Sequence, residues 1–152
     1  YEKGHGMGKD EEHAVQCYLK AAAQGDADAQ YSLGLCYWNG RGVGKDEAQA
    51  AKWYRKAAEQ GNADAQCPLG VCFDFGRGVA TDEKEGLQWF RKAAEQGLAQ
   101  GQFNVGVFYY FGKGGLVKDK ERAKQWFRKA AEQGHEDAQL YLDTFLCISR
   151  NH

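Results

Sequence analysis

No run of apolar residues in this chain approaches the roughly 20 that a membrane-spanning helix requires, and no positively charged leader precedes an apolar stretch. Membrane insertion is therefore not expected. Neither sign of charge is in excess: 20 Lys and Arg face 21 Asp and Glu, for a net charge of -1. Such a balance lacks the clustered cation that nucleic acid or an anionic membrane surface selects, so neither is expected as a partner.

The five cysteines are odd in number. Cys36 and Cys72 stand one repeat apart, whereas Cys17, Cys67 and Cys147 fall at three other places. A disulfide-bridged array would show a recurring pair in each repeat. None is visible, so the thiols read as small apolar groups, buried or half-buried, in a reducing, cytoplasmic compartment. The four histidines, His5, His13, His135 and His152, are scattered, and no Cys or His pair is read as having ligand spacing within a helix turn. No Gly-x-Ser-x-Gly elbow and no Cys/His nucleophile pairing is read either. The expectation is a protein without catalytic residues, metal or cofactor.

What the sequence has in abundance is repetition. Ala-Ala-x-Gln-Gly occurs at Ala21–Gly25, Ala57–Gly61, Ala93–Gly97 and Ala130–Gly134, at spacings of 36, 36 and 37 residues. A unit of this size cannot bury an apolar face by itself and must stack on its neighbours. Within it, Ala29, Leu33, Gly34 and Tyr37 match Ala65, Leu69, Gly70 and Phe73, then Gly101, Val105, Gly106 and Tyr109. Offsets of 0, 4, 5 and 8 mark one face of a helix running from near Ala27, Ala63 or Ala99 to near Asn39, Phe75 or Phe111. The glycine on that face suits the close approach of another helix. Gly40, Gly76 and Gly112 then end the helix in left-handed conformation.

Loops beginning Gly40-Arg41-Gly42, Gly76-Arg77-Gly78 and Gly112-Lys113-Gly114 reverse the chain. The first, with Val43, Gly44 and Lys45, resembles a phosphate loop only loosely: its glycine spacing is wrong and no Ser or Thr follows the lysine, so it reads as a connector. Asp46, Asp82 and Asp119 open a second helix as N-caps, with Gln49 and Glu85 placed for capping boxes. The buried stripe of that helix is Ala50, Tyr54, Ala57 and Ala58, then Gly86, Phe90, Ala93 and Ala94, then Ala123, Phe127, Ala130 and Ala131. Trp53, Trp89 and Trp126 are expected to wedge between repeats, and Pro68 to delay or bend the start of its helix.

Leu-Gly-x-x-Tyr, Gly-x-Gly-Val, an Asp, and Trp-Tyr/Phe-Arg-Lys-Ala-Ala-Glu-Gln-Gly thus recur in order and in register over nearly the whole chain. In these residues it resembles the Sel-1-like repeat family, a branch of the tetratricopeptide-like superfamily. The resemblance implies an all-α fold: a right-handed α-solenoid of antiparallel helix pairs, without shared catalytic residues, serving as an adaptor or assembly module.

The expected organisation is a single repeat domain: a partial repeat at 1–26 with its second helix only, repeats at 27–62, 63–98 and 99–135, and a capping helix at 136–152. Tyr1, Gly4, Gly6, Lys9 and Asp10 align with Tyr37, Gly40, Gly42, Lys45 and Asp46, as in a fragment of a longer array. At the other end Asp143 stands where the helix-face glycine should.

By analogy with tetratricopeptide grooves, the positions that the packing stripe leaves over should line a concave side. They are Tyr31, Leu35, Trp38 and Asn39; Cys67, Val71, Asp74 and Phe75; and Phe103, Val107, Tyr110 and Phe111. Rings at such positions suit the anchoring of a peptide or helix. The expected function is noncatalytic binding of a peptide or protein segment on this aromatic-rich face. The alternative is a structural spacer or self-association module, joined end to end through an edge carrying Val15 and Tyr18.

Overall fold

The computed structural model describes the backbone of residues 2–150 and the side chains of residues 8–150. The described residues form eight helices and no strand: α1 (Glu2–Ala23), α2 (Ala27–Asn39), α3 (Glu47–Glu59), α4 (Ala63–Phe75), α5 (Glu83–Glu95), α6 (Ala99–Phe111), α7 (Lys120–Glu132) and α8 (Glu136–Arg150). The chain divides into two compact halves, one ending at Thr81 and the other beginning at Asp82.

The helix boundaries follow from capping chemistry. Asp26 and Asn62 accept hydrogen bonds from the amides of Ala29 and Ala65 at the starts of α2 and α4. Asp46, Asp82 and Asp119 do the same for α3, α5 and α7. Leu98 gives α6 no side-chain cap, and His135 caps α8 by accepting from the Ala138 amide through Nδ1. Gly40, Gly76 and Gly112 end α2, α4 and α6 at φ of 68°, 65° and 69°, where only glycine escapes a clash at its own Cβ.

In the first half, Gln30 at the start of α2 bonds Gln60 just past the end of α3, and the Asp46 amide bonds the Tyr37 carbonyl, so α2 and α3 run antiparallel. Their contact is tight because a Cβ at Gly34 would lie 2.5 Å from two carbons of the Tyr54 ring. Val15, Ala22, Ala29 and Leu33 form a core cluster joining α1 to α2, with Trp53 from α3 packed on it. That is the wedge expected of Trp53. In the second half, Gly106 meets the Phe127 ring as Gly34 meets Tyr54, and Gly101 lies against Ala93 and Ala94. Ala123, Phe127, Ala130 and Ala138 make its core, with Phe103, Tyr110, Tyr141 and Phe145 partly buried around them. The expected stripes are buried, except that Tyr37, Tyr109 and Ala131 keep part of their surface in solvent.

Three local expectations need correcting. Helix α4 begins at Ala63, as early in its repeat as α2 does, so Pro68 does not delay it: the Asn62 cap is intact and Pro68 is half-exposed. Gly4, Gly6, Lys9 and Asp10 lie inside α1 rather than in a loop and cap. The later loop glycines Gly42, Gly78 and Gly114 instead take positive φ against the backbone of a second helix, at Glu11, Glu47 and Glu83. Tyr1, Asn151 and His152 lie outside the described residues, as does the side chain of His5. Finally, Cys17 and Cys147 are exposed, whereas Cys36 is half-buried and Cys67 and Cys72 are buried; all five are free thiols.

Candidate functional site: the exposed face of the first helices

In α2 and α6 the small-residue stripe turns toward the following helix, and in all three first helices, α2, α4 and α6, the side chains between the stripe's members are what the helix has left to offer. The first half places Tyr31 beside Tyr54, ring centres 6.1 Å apart, and Trp38 on the other side of the same ring at 6.3 Å. Burial, with added repulsion from Asp64 and Cys67, holds the Tyr31 hydroxyl above its ordinary pKa. Leu35 and Asn39 line a cavity of about 230 Å³ between α1 and α2, and Asn39 also donates to the Leu35 carbonyl. Val71 and Asp74 are half-buried, and Phe75 is 66% exposed. Cys67 is buried and offers no surface to a ligand.

The second half is different. Phe103 stacks on His135 at 4.5 Å and lies 5.6 and 5.8 Å from Phe127 and Tyr141. Tyr110 meets Tyr141 and Phe145 of α8 edge-on at 5.5 and 5.6 Å. These two rings are in large part occupied by the chain itself. Val107 is half-buried, and Phe111, which touches Tyr110 edge-on, is 55% exposed. The sequence-derived set therefore separates into four: rings engaged in packing (Tyr31, Trp38, Phe103, Tyr110), exposed aromatic ends (Phe75, Phe111), the lining of the first cavity (Leu35, Asn39), and half-buried or buried side chains (Val71, Asp74, Val107, Cys67).

Two recurring devices went unread in the sequence. Gln30 is buried, donates to the Ala22 carbonyl and accepts from Gln60; Gln102, also buried, accepts from Gln133, which donates as well to the Gly97 carbonyl. Their spacing in the sequence, with Gln66 between them donating to the Ala58 carbonyl, was the available signal. The second device is the loop. A Cβ at Gly42 would lie 2.5 Å from the Glu11 carbonyl, and one at Gly78 would overlap the Glu47 carbonyl. The neighbouring Arg77 bonds the Glu47 carboxylate at 2.7 Å, and Arg41 pairs with Glu11 at 3.6 Å. The glycine–arginine loop is thus a clasp onto the second helix of the preceding repeat, α1 for the loop after α2 and α3 for the loop after α4.

Lysines three residues after the tryptophans of α3, α5 and α7 lie over their rings: Lys56 on Trp53 at 4.6 Å, Lys92 on Trp89 at 4.3 Å and Lys129 on Trp126 at 4.5 Å. These pairs cover apolar surface with solvated charge. One further pair corrects the sequence reading: His13 Nε2 and Cys17 Sγ stand 3.8 Å apart, one turn apart on α1. Two exposed ligands fall short of a closed tetrahedral site, and no group of three metal-ligating residues occurs among the described residues. No described helix is long and apolar enough to cross a membrane.

The Sel1 repeat profile matches at residues 1–26, 27–62, 63–98 and 99–135. The chain belongs to the Sel1-repeat family. Among solved structures, a protective antigen of uropathogenic Escherichia coli with an SLR fold is 49% identical, at a TM-score of 0.75 over 77% of this chain and 25% of that one. A Sel1 repeat protein from Oxalobacter formigenes is 39% identical, with a TM-score of 0.78 over 86% of this chain and 51% of that one. Helicobacter pylori cysteine rich protein B is 29% identical, with a TM-score of 0.66 over 86% of this chain and 93% of that one. The chain thus spans only a quarter to a half of the first two relatives. No curated protein matches it. Sel1-repeat proteins are in general noncatalytic scaffolds for protein interaction, and the α-solenoid class of this Sel1 chain is that of its relatives.

Proposed function

We propose that this Sel1-repeat chain binds a peptide or protein segment through the exposed side chains of its first helices. The observation that carries the reading is the exposure of Phe75 and Phe111, large rings at equivalent positions in the last turns of α4 and α6. An aromatic ring left in water at the same place in successive repeats offers apolar area at little conformational cost to a ligand. Val71 and Asp74 beside Phe75, and Val107 and Tyr110 beside Phe111, are the neighbours that would give each ring its apolar or polar context. Trp38 and Tyr31 support the Tyr54 packing and contribute their remaining edges. No step of chemistry is assigned to any residue.

The test is selection of binders from a random peptide library, followed by titration against Phe75→Ala and Phe111→Ala. Both rings are mostly exposed, so neither change should lower helicity or the unfolding midpoint. Loss of binding in either variant is the expected result. Ligands that bind both variants as tightly as the parent would remove these rings from the proposed surface.

A further inference from the structure

Arg91 of α5, Tyr109 of α6 and Arg122 of α7 converge within the second half of the chain. A terminal nitrogen of Arg91 donates to the Tyr109 hydroxyl at 3.3 Å, and the guanidinium carbon of Arg122 lies 5.7 Å from the centre of the same ring. All three side chains reach solvent: Arg91 and Tyr109 are half-buried and Arg122 is exposed. Burial by itself would raise the Tyr109 pKa, but hydrogen bonds and charge from both arginines outweigh it and hold the hydroxyl below its ordinary value. Its oxygen accepts from cations, which leaves its own proton to be donated.

The grouping departs from the repeat. One repeat earlier the three places hold Arg55, Phe73 and Glu85, and two repeats earlier Leu19, Tyr37 and Gln49, so two cations and a hydroxyl coincide only here. Helix formation does not account for Arg122. It is the third residue of α7, where the exposed amides and the helix dipole favour an acid or a capping glutamine. Among the described residues its ion pair is with Asp119 at 3.6 Å, and that carboxylate already accepts from the amides of Glu121 and Arg122. Arg91 forms no ion pair among the described residues. The surroundings reinforce the pair: from Lys113 to Lys129 there are seven Lys or Arg and two acids, in a chain whose net charge is -1. Such an excess attracts anions over a screening length of about 8 Å.

We propose that Arg91, Tyr109 and Arg122 form a binding site for a phosphate group carrying two negative charges. Two guanidiniums match the dianion in charge, and with the phenol they offer donors from three different helices. A tetrahedral group has acceptor oxygens for all three, whereas a carboxylate or a phosphate diester carries a single charge and would leave one guanidinium unmatched. The group is therefore a phosphate monoester or inorganic phosphate. The site is separate from the exposed rings of α4 and α6 and does not depend on their role.

The test uses the full chain labelled with carbon-13 at tyrosine Cζ, the Tyr109 resonance being the one lost in Tyr109→Phe. At about pH 8, where both ligands are chiefly dianionic, and at ionic strength held constant with chloride, inorganic phosphate should shift that resonance saturably. It should also move Tyr109 ionisation to higher pH, because a bound anion offsets the pull of the arginines. Arg122→Glu, which restores the residue of the preceding repeat, and Arg91→Gln should each weaken binding on the order of tenfold or more. Lys118→Glu, a reversal of equal size in the neighbouring loop, should cost a small fraction of that. O-Phosphoserine and inorganic phosphate separate the two sources: the tighter ligand shows whether the group arrives esterified or free. If one arginine variant loses helicity, the other carries the comparison. Absence of a saturable shift, equal loss in Lys118→Glu and the arginine variants, or equal binding of acetate or dimethyl phosphate would each overturn the site.

Discussion

The guanidinium carbon of Arg77 lies 4.2 Å from the centre of the Trp38 ring. The same side chain donates to the Glu47 carboxylate from both Nε and a terminal nitrogen, so one arginine ties the loop after α4 to α2 and to the start of α3. Planarity makes this possible: the guanidinium stacks on a ring while its edge meets an acid, which an ammonium cannot do. With the side chain 41% exposed, solvent screening limits what the pair is worth. We expect Arg77→Ala to lower stability by about 1 kcal/mol in urea unfolding. Arg77→Lys should recover only part of the loss.

Glycine on the helix face supports a sharper contrast. Gly34→Ala would gain about 1 kcal/mol of helix propensity, yet the new methyl group would meet the Tyr54 ring at 2.5 Å. Overpacking of this kind costs roughly 1–3 kcal/mol, and the ring is itself hemmed in by Tyr31 and Trp38. A net loss is therefore expected. Gly44→Ala, in the loop, meets nothing within 4 Å and has no left-handed backbone to strain. Its midpoint should stay unchanged or rise slightly. Equal effects of the two changes would show that the ring moves aside at no cost.

Much of this was legible in the sequence because the same physical constraint is restated every 36 residues. Gly34 and Gly106 announce a close helix crossing, Asp46 a cap, and Gly40 a left-handed stop, and each is seen in place. What a single-helix pattern cannot express is which neighbour a leftover side chain finds. Phe103 and Tyr110 fall at positions free of the packing stripe, yet Tyr141 and Phe145 of α8 reach them. Arg41 and Arg77 looked like turn residues because their acidic partners, Glu11 and Glu47, lie 30 positions away in the sequence. The glutamines were passed over because a polar residue at a helix start ordinarily reads as solvated.

Those glutamines carry a prediction of their own. Gln30 is buried, its amide nitrogen satisfies the Ala22 carbonyl, and its oxygen accepts from Gln60 at 2.8 Å. Gln30→Leu keeps the volume but removes both hydrogen bonds; the Ala22 carbonyl keeps the Gly25 amide as a donor, and Gln60 is exposed to solvent. Each intramolecular hydrogen bond lost costs roughly 0.5–1.5 kcal/mol net. The loss should be visible as a lower urea midpoint with an unchanged slope. Gln100→Leu, at an exposed position on α6, should cost far less.

Burial also predicts how the protein responds to alkali. The Cys67 thiol is pushed from 9.0 up to about 12, chiefly by burial and then by the nearby Asp64 carboxylate. Burial lifts Cys72 to about 11, against a partial opposing pull from Arg77. An unfolded chain loses these protons near pH 9, whereas the folded chain keeps them. The stability they contribute is therefore complete below pH 9 and drains away as pH rises toward 11 and 12. Its limiting slope is about 1.4 kcal/mol per pH unit for each thiol. Tyr54, whose hydroxyl burial also raises, adds to the decline above pH 10. Urea unfolding between pH 8 and 10.5 should show this fall in the parent and a shallower one in Cys67→Ala with Cys72→Ala. Alkylation of the native protein should mark Cys17 and Cys147 first and spare Cys67 and Cys72 until the chain unfolds, because only the exposed pair can present a thiolate without breaking a helix contact. Identical pH slopes in parent and double variant would mean that the two thiols titrate alike folded and unfolded, and the alkaline loss would then rest on the other raised groups, Tyr31, Cys36 and Tyr54.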